Sequence, residues 1–248
     1  MKKIFIITFF IISKFIFSQN KAIVPTTGTI VFVKEENIFD KDLYIKSLKE
    51  LMPKMKVKMK EEIFIERLTD GKKTDTLLLN LEVEKMAQNF EMMLPYIIEE
   101  PSQKIKVYHE FNQDTIKMYY SIDDEINKRI FINRISHEVK DENDEYVEFD
   151  KNEIIKLTEY KNENKLINGF NCFKIVYSFK TLGNSFDFMN LSSNNRELWV
   201  TEEIRCNYHP VINNTEILEK YYPLEIIEYS NDIKGTITTY KVETLKLK

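Results

Sequence analysis

The hydrophobic positions of this chain change period along its length. After an alternating first strand, "TGTIVFVKEE" at 27–36, Tyr44, Leu48, Leu51, Met55 and Met59 return at three- and four-residue steps. That spacing predicts a helix over 40–62, with Asp40 as its N-cap. Pro53 falls inside the stripe and predicts a kink or a division there. A second stripe through Met86, Phe90, Met93 and Ile97 predicts another helix, stopped by Pro101. Residues 61–84 read two ways. The Asp70-Gly71 step between apolar, branched runs favours a β-hairpin, and a helix is the alternative.

Beyond Pro101 the period is two. "KIKVYHEF" alternates Ile105, Val107, His109 and Phe111, and "TIKMYYSI" alternates Ile116, Met118, Tyr120 and Ile122. Residues 112–114 join them as a hairpin. Further strands are predicted at "RIFINRI", "EYVEF", "IIKLTEY", "GFNCFKIVYSF", "RELWVTEEI", "PLEIIEYS" and "TITTYKVETLKL". Polar clusters at 141–145, 161–165, 190–195 and 231–235 read as the turns between them. Short links between successive strands imply antiparallel meanders. The expected fold is α+β: one large, curved, half-barrel-like antiparallel sheet packed on one or two helices. One domain spans 19–248, helical or hairpin over 40–100 and mostly β over 102–248. The Met-bearing helices are the expected cover of the sheet.

The N-terminus changes the picture of where the protein works. "MKKIFIITFFIISKFIFSQN" pairs two lysines with an apolar run and a small residue at Ser18, the outline of a signal peptide over 1–18. The run is shorter than the ~20 apolar residues a membrane span requires. Cleavage is expected between Ser18 and Gln19, giving an exported protein, periplasmic, envelope-associated or secreted. Removing three lysines and no acids would take the formal charge from −4 to −7. An acidic chain without a basic stripe argues against nucleic acid, whose binding needs cations against phosphate. No second apolar run reaches spanning length, so no transmembrane segment is expected in the mature chain.

Candidate chemistry is sparse. No phosphate loop, nucleophile elbow or zincin helix occurs, and no catalytic residue, metal or cofactor is expected. His109 reads as a half-buried sheet residue and His137 as an exposed one. His209 follows Cys206 by three positions, but a zinc site needs three or four ligands. The acidic run at 141–145 reads as a solvated turn. Asp75-Thr76-Leu77 and Asp114-Thr115-Ile116 resemble a short O-glycosylation acceptor. Met52, Met55, Met59, Met86 and Met93 are the candidate contacts for an apolar ligand, since methionine lines adaptable apolar sites; core packing is the competing reading.

Two cysteines remain, Cys172 and Cys206. Export favours a disulfide between them. A register that sets them opposite also pairs Phe179 with Trp199. A one-residue slip instead puts Leu198, Val200 and Ile204 on the aromatic face of Phe173, Ile175, Tyr177 and Phe179 and separates the cysteines. A β-bulge would reconcile the two. Two buried thiols are the alternative.

The block "IKLTEYKNENKLINGFNCFKI" (155–175) resembles the centre of the GLPGLI family of exported bacterial proteins. Leu157, Thr158, Ile167, Gly169, Phe170, Cys172 and Lys174 stand at matching places. "ELWVTEEI" (197–204) and the opening strand are similar too. At the segment that names the family this chain reads "KYYPLEI" and lacks both glycines. The plan also resembles lipoprotein-carrier half-barrels. The resemblance implies no enzymatic activity, cofactor or catalytic residue. Two functions are therefore expected: a non-enzymatic envelope protein binding a hydrophobic or lipid-like ligand, or a structural or interaction protein that docks an envelope partner through an exposed surface.

Overall fold

The computed structural model describes residues 22–99, 105–148, 152–181 and 194–248. The expected signal peptide and the stop at Pro101 lie outside the described residues. Among the described residues the fold is an open antiparallel sheet of ten strands with three helices. In chain order these are β1 (Gly28–Ile38), α1 (Lys41–Thr69), α2 (Thr76–Glu99), β2 (Ile105–Asn112), β3 (Thr115–Ile122), β4 (Glu125–Asn133), β5 (Val139–Asp141), β6 (Asn152–Ile167), β7 (Phe170–Thr181), β8 (Asn194–Thr201), α3 (Thr215–Leu218), β9 (Tyr222–Ser230) and β10 (Thr236–Leu247). The strand order is β5-β4-β3-β2-β1-β10-β9-β8-β7-β6. The first and last strands thus meet in the middle, and meanders run outward from them, as the short links predicted.

The sheet is curved, and the chain itself requires it. Ten strands at ~4.8 Å spacing would be about 43 Å wide if flat. The chain leaves the β5 edge, bridges back at Tyr146 to Lys140, and begins β6 on the opposite edge at Asn152. Six residue steps reach only about 20 Å, so the two edges approach each other. Bulges between Val31 and Phe32, Tyr119 and Tyr120, and Trp199 and Val200 add local bends.

Three predicted elements differ. Residues 61–69 and 76–84 are helical, in place of the favoured β-hairpin. α1 runs to Thr69, Gly71 turns the chain at φ +68°, and α2 starts at Thr76. Asp75 supports that start by accepting from the backbone N–H groups of Leu77 and Leu78. α1 passes through Pro53 on its exposed side, which leaves the carbonyl of Lys49, the one that loses its partner, on the side open to solvent. Asp40 caps α1 as expected, accepting from Leu43 N at 2.9 Å. The polar cluster 161–165 is no turn: β6 continues through it as a bulge between Tyr160 and Asn164. The turn comes at Asn168-Gly169, both at positive φ, where Ile167 pairs with Phe170. Of "EYVEF", the described residues 145–148 contribute the bridge at Tyr146 and no strand.

The cover of the sheet comes from the β8–β9 connection, residues 202–221, with α3 near its end. Ile204, Cys206, Tyr208 and Val211 pack with Phe32, Val107, Phe111, Met118, Val139 and Leu224. Ile212, Ile217, Leu218 and Tyr221 pack with Phe173, Ile175, Tyr177, Phe179, Leu198 and Val200. The Met-bearing helices mainly cover each other. Their core joins Leu48, Leu51, Met52 and Met55 to Ala87 and Leu94, and Met59 to Leu79 and Val83. From outside the two helices it takes in only Ile233, in the β9–β10 turn. There the hairpin is rooted: Lys234 N donates to Ser47 Oγ at 3.1 Å, and Phe39 N to Gly235 O at 2.9 Å.

Candidate functional site

At the heart of the curve two histidines are fully buried. Nδ1 of His109 on β2 lies 2.7 Å from the hydroxyl of Tyr222 on β9. His209, in the covering segment, receives backbone N–H groups of Val211 and Ile212 at Nδ1, both at 3.1 Å, and its Nε2 lies 3.2 Å from Pro223 O. Nδ1 is therefore the acceptor and Nε2 carries the proton, a neutral ring. Burial pushes His209 down to about 3 and depresses His109 well below the usual imidazole range. With both nitrogens of His209 held by backbone, no lone pair is left for a metal, and Cys206-x-x-His209 is a structural turn. His109 is more buried than alternation suggested, because the covering segment lies over its face.

The cysteines are free thiols, which corrects the expected disulfide. Phe173 pairs with Val200 and Ile175 with Leu198, so Cys172 falls level with Thr201, five residues short of Cys206. Burying the aromatic face decides the register, and Trp199 meets Lys174 rather than Phe179. The same register sets Arg196 opposite Tyr177. It is buried there, donating to the Tyr177 hydroxyl at 3.1 Å and to Glu228 at 2.8 Å. Burial pushes the Cys172 thiol up to about 12 and that of Cys206 to about 11. Neither is poised as a nucleophile.

The five candidate methionines do not converge. Met52, Met55 and Met59 fill the interior of the helical hairpin, while Met86 and Met93 face solvent. The hairpin exposes instead two apolar stripes that the sequence reading missed. On α2, Leu77, Leu78, Leu81, Met92 and Tyr96 are 60–71% exposed. At 100° per residue they lie opposite the buried row of Leu79, Val83, Ala87 and Leu94. On α1, Val57, Phe64 and Leu68 stand out opposite Met52, Met55 and Met59. The signal was present as apolar residues on both sides of each helix, which blurs the one-sided period of an amphipathic helix.

A separate cleft of about 230 Å³ lies between strands β2–β5 and the covering segment. Val107, Met118, Ile130, Val139 and Val147 give it apolar walls, with Tyr119, Tyr120, Pro210 and Asn213 beside them. Lys128 and Glu148 are its charged, exposed members.

The chain is thus an α+β protein built on an open antiparallel sheet, with a helical hairpin inserted between two central strands. No family model, curated protein or solved structure matches it.

Proposed function

We propose that this is an exported, non-enzymatic envelope protein that works by docking a partner protein through its helical hairpin. The observation that carries the reading is the pair of outward apolar stripes on α1 and α2. Contiguous exposed apolar surface is disfavoured on a solitary soluble protein and marks an interaction site. The hairpin's interior is filled by its own side chains, which favours docking over a ligand chamber beneath the methionines. The tip at 70–75 is polar and charged, which argues against insertion tip-first into lipid. Export rests on the N-terminal pattern, and the resemblance of 155–175 to the GLPGLI block agrees with it.

The test is fractionation of the native envelope on a density gradient. The chain should migrate in an assembly larger than itself, and Phe64→Glu with Leu81→Glu should release it as a folded, slower species. An unchanged profile would count against docking.

The cleft supports a second reading, a small apolar molecule held among Val107, Met118, Ile130 and Val139. Native mass spectrometry of chain purified from its own envelope should then show a bound small mass that Met118→Trp removes. A bare chain would sink this reading and leave docking intact.

A further inference from the structure

The outward stripe of α2 is symmetric about its own midpoint. About the midpoint between Met86 and Ala87, Leu77 mirrors Tyr96, Leu78 mirrors Pro95, Leu81 mirrors Met92, and Lys85 mirrors Gln88. All eight are exposed. In an isologous contact residue i meets j and j meets i. Two copies of α2 laid antiparallel would therefore place apolar against apolar at both ends and Lys85 against Gln88 in the middle. A parallel pair would set Lys85 against Lys85, which like-charge repulsion disfavours.

The surroundings fit the same arrangement. Glu82 and Glu84 flank the stripe, and both are neutralised within the hairpin, by Arg67 and by Lys56 respectively. The register sets Glu82 against Glu91 of the other copy, and Arg67, already paired with Glu82, offsets that like-charge approach. On α1 an antiparallel register about the midpoint of Lys60 and Glu61 would also set Val57 against Phe64 and Pro53 against Leu68. That stripe carries three large exposed apolar side chains, Val57, Phe64 and Leu68, against five on α2, so the α2 face is the larger of the two.

We infer that the α2 face is covered by a second copy of this chain in an antiparallel, two-fold helix pair, with the α1 stripes left outward for the envelope partner. The inference rests on the docking reading and names the occupant of one of its two faces. The five exposed apolar side chains offer roughly 500 Å² per copy, about 1,000 Å² in all, the lower edge of a specific interface. The pair should therefore be a weak, reversible one.

Sedimentation velocity of residues 19–248 from ~1 to ~200 μM should show a monomer–dimer shift. Leu81→Glu should weaken it at least about tenfold, with the thermal midpoint unchanged at ~1 μM, where both chains are monomeric, because Leu81 is exposed. The register is read by mixing a Lys85→Cys chain with a Gln88→Cys chain under mild oxidation. The mixed disulfide should form faster than either homodisulfide, and buried Cys172 and half-buried Cys206 should stay silent. A monomer at every concentration, a dimer indifferent to Leu81→Glu, or a preferred Lys85→Cys homodisulfide would each overturn the inference. If the purified chain is monomeric while Phe64→Glu still releases it from the envelope assembly, only the second-copy assignment fails.

Discussion

The ring of His109 reaches the hydroxyl of Tyr222 at 2.7 Å although β1 and β10 lie between their strands in the sheet. On a flat sheet three spacings of ~4.8 Å would hold β2 and β9 about 14 Å apart. The bond is made because the sheet closes round its covering segment. Nε2 of the same ring is buried and unpaired, so the Tyr222 contact is its sole polar compensation among the described residues. Tyr222→Phe should cost about 1–3 kcal/mol by stranding Nδ1 as well. His109→Leu with Tyr222→Phe removes both polar partners and should be less damaging than the sum of the single changes. Urea denaturation of the four proteins measures this; strict additivity would contradict a direct bond.

The two histidines also set a pH dependence. His209 titrates near 3 in the folded chain, against an ordinary value of 6.5. His109 is shifted the same way by burial. Between those limits the unfolded chain binds protons that the folded chain refuses. Stability is therefore complete above pH ~6.5 and falls as pH drops, by up to about 1.4 kcal/mol per unit for each fully shifted ring. Denaturation midpoints at pH 7.5, 6 and 5 should decline, and His209→Asn should flatten the decline. A midpoint constant over that range would contradict the neutral, backbone-held imidazole.

The thiols should be slow. Burial holds Cys172 near 12 and Cys206 near 11, so at pH 8 the thiolate is scarce at both. Iodoacetamide should label neither in the native state within minutes and both in urea. Intact-mass analysis should count two thiols. A mass lower by two protons, with no labelling in urea, would restore the disulfide.

Gly169 and Gly235 separate two costs. Both sit at positive φ, +88° and +82°. A Cβ on Gly169 meets open space, whereas one on Gly235 would stand 2.3 Å from Asp40 O and 2.8 Å from Tyr44 N. Gly169→Ala should cost about 1 kcal/mol, the backbone strain alone. Gly235→Ala should cost several-fold more, because the start of α1 must move away from the β9–β10 turn. Equal losses in thermal denaturation would contradict the close approach.

How legible this was depended on what each residue faces. β2, β3, β7 and β8 read well because one face meets the core and the other does not, as at Val107, His109 and Phe111. The polar run 161–165 misled, because β6 is an edge strand and polarity there marks exposure, not a turn. Residues 61–84 misled because apolar residues on both faces of each helix imitate branched strands. The covering segment 202–221 has no period at all. Its role rests on Ile204, Ile212 and Ile217 meeting strands far away in sequence. The His109–Tyr222 bond depends on curvature, which local pattern does not carry.

The central claim is that the helical hairpin is a docking element, and photo-crosslinking in the living cell tests it most directly. A photoreactive amino acid placed at Phe64, at Leu81 and, as a control, at exposed Glu142 in the β5 turn samples both stripes and a polar surface. Discrete crosslinked bands at Phe64 and at Leu81, absent at Glu142, are the predicted result. No crosslink at either stripe, or the same pattern at Glu142, would contradict it.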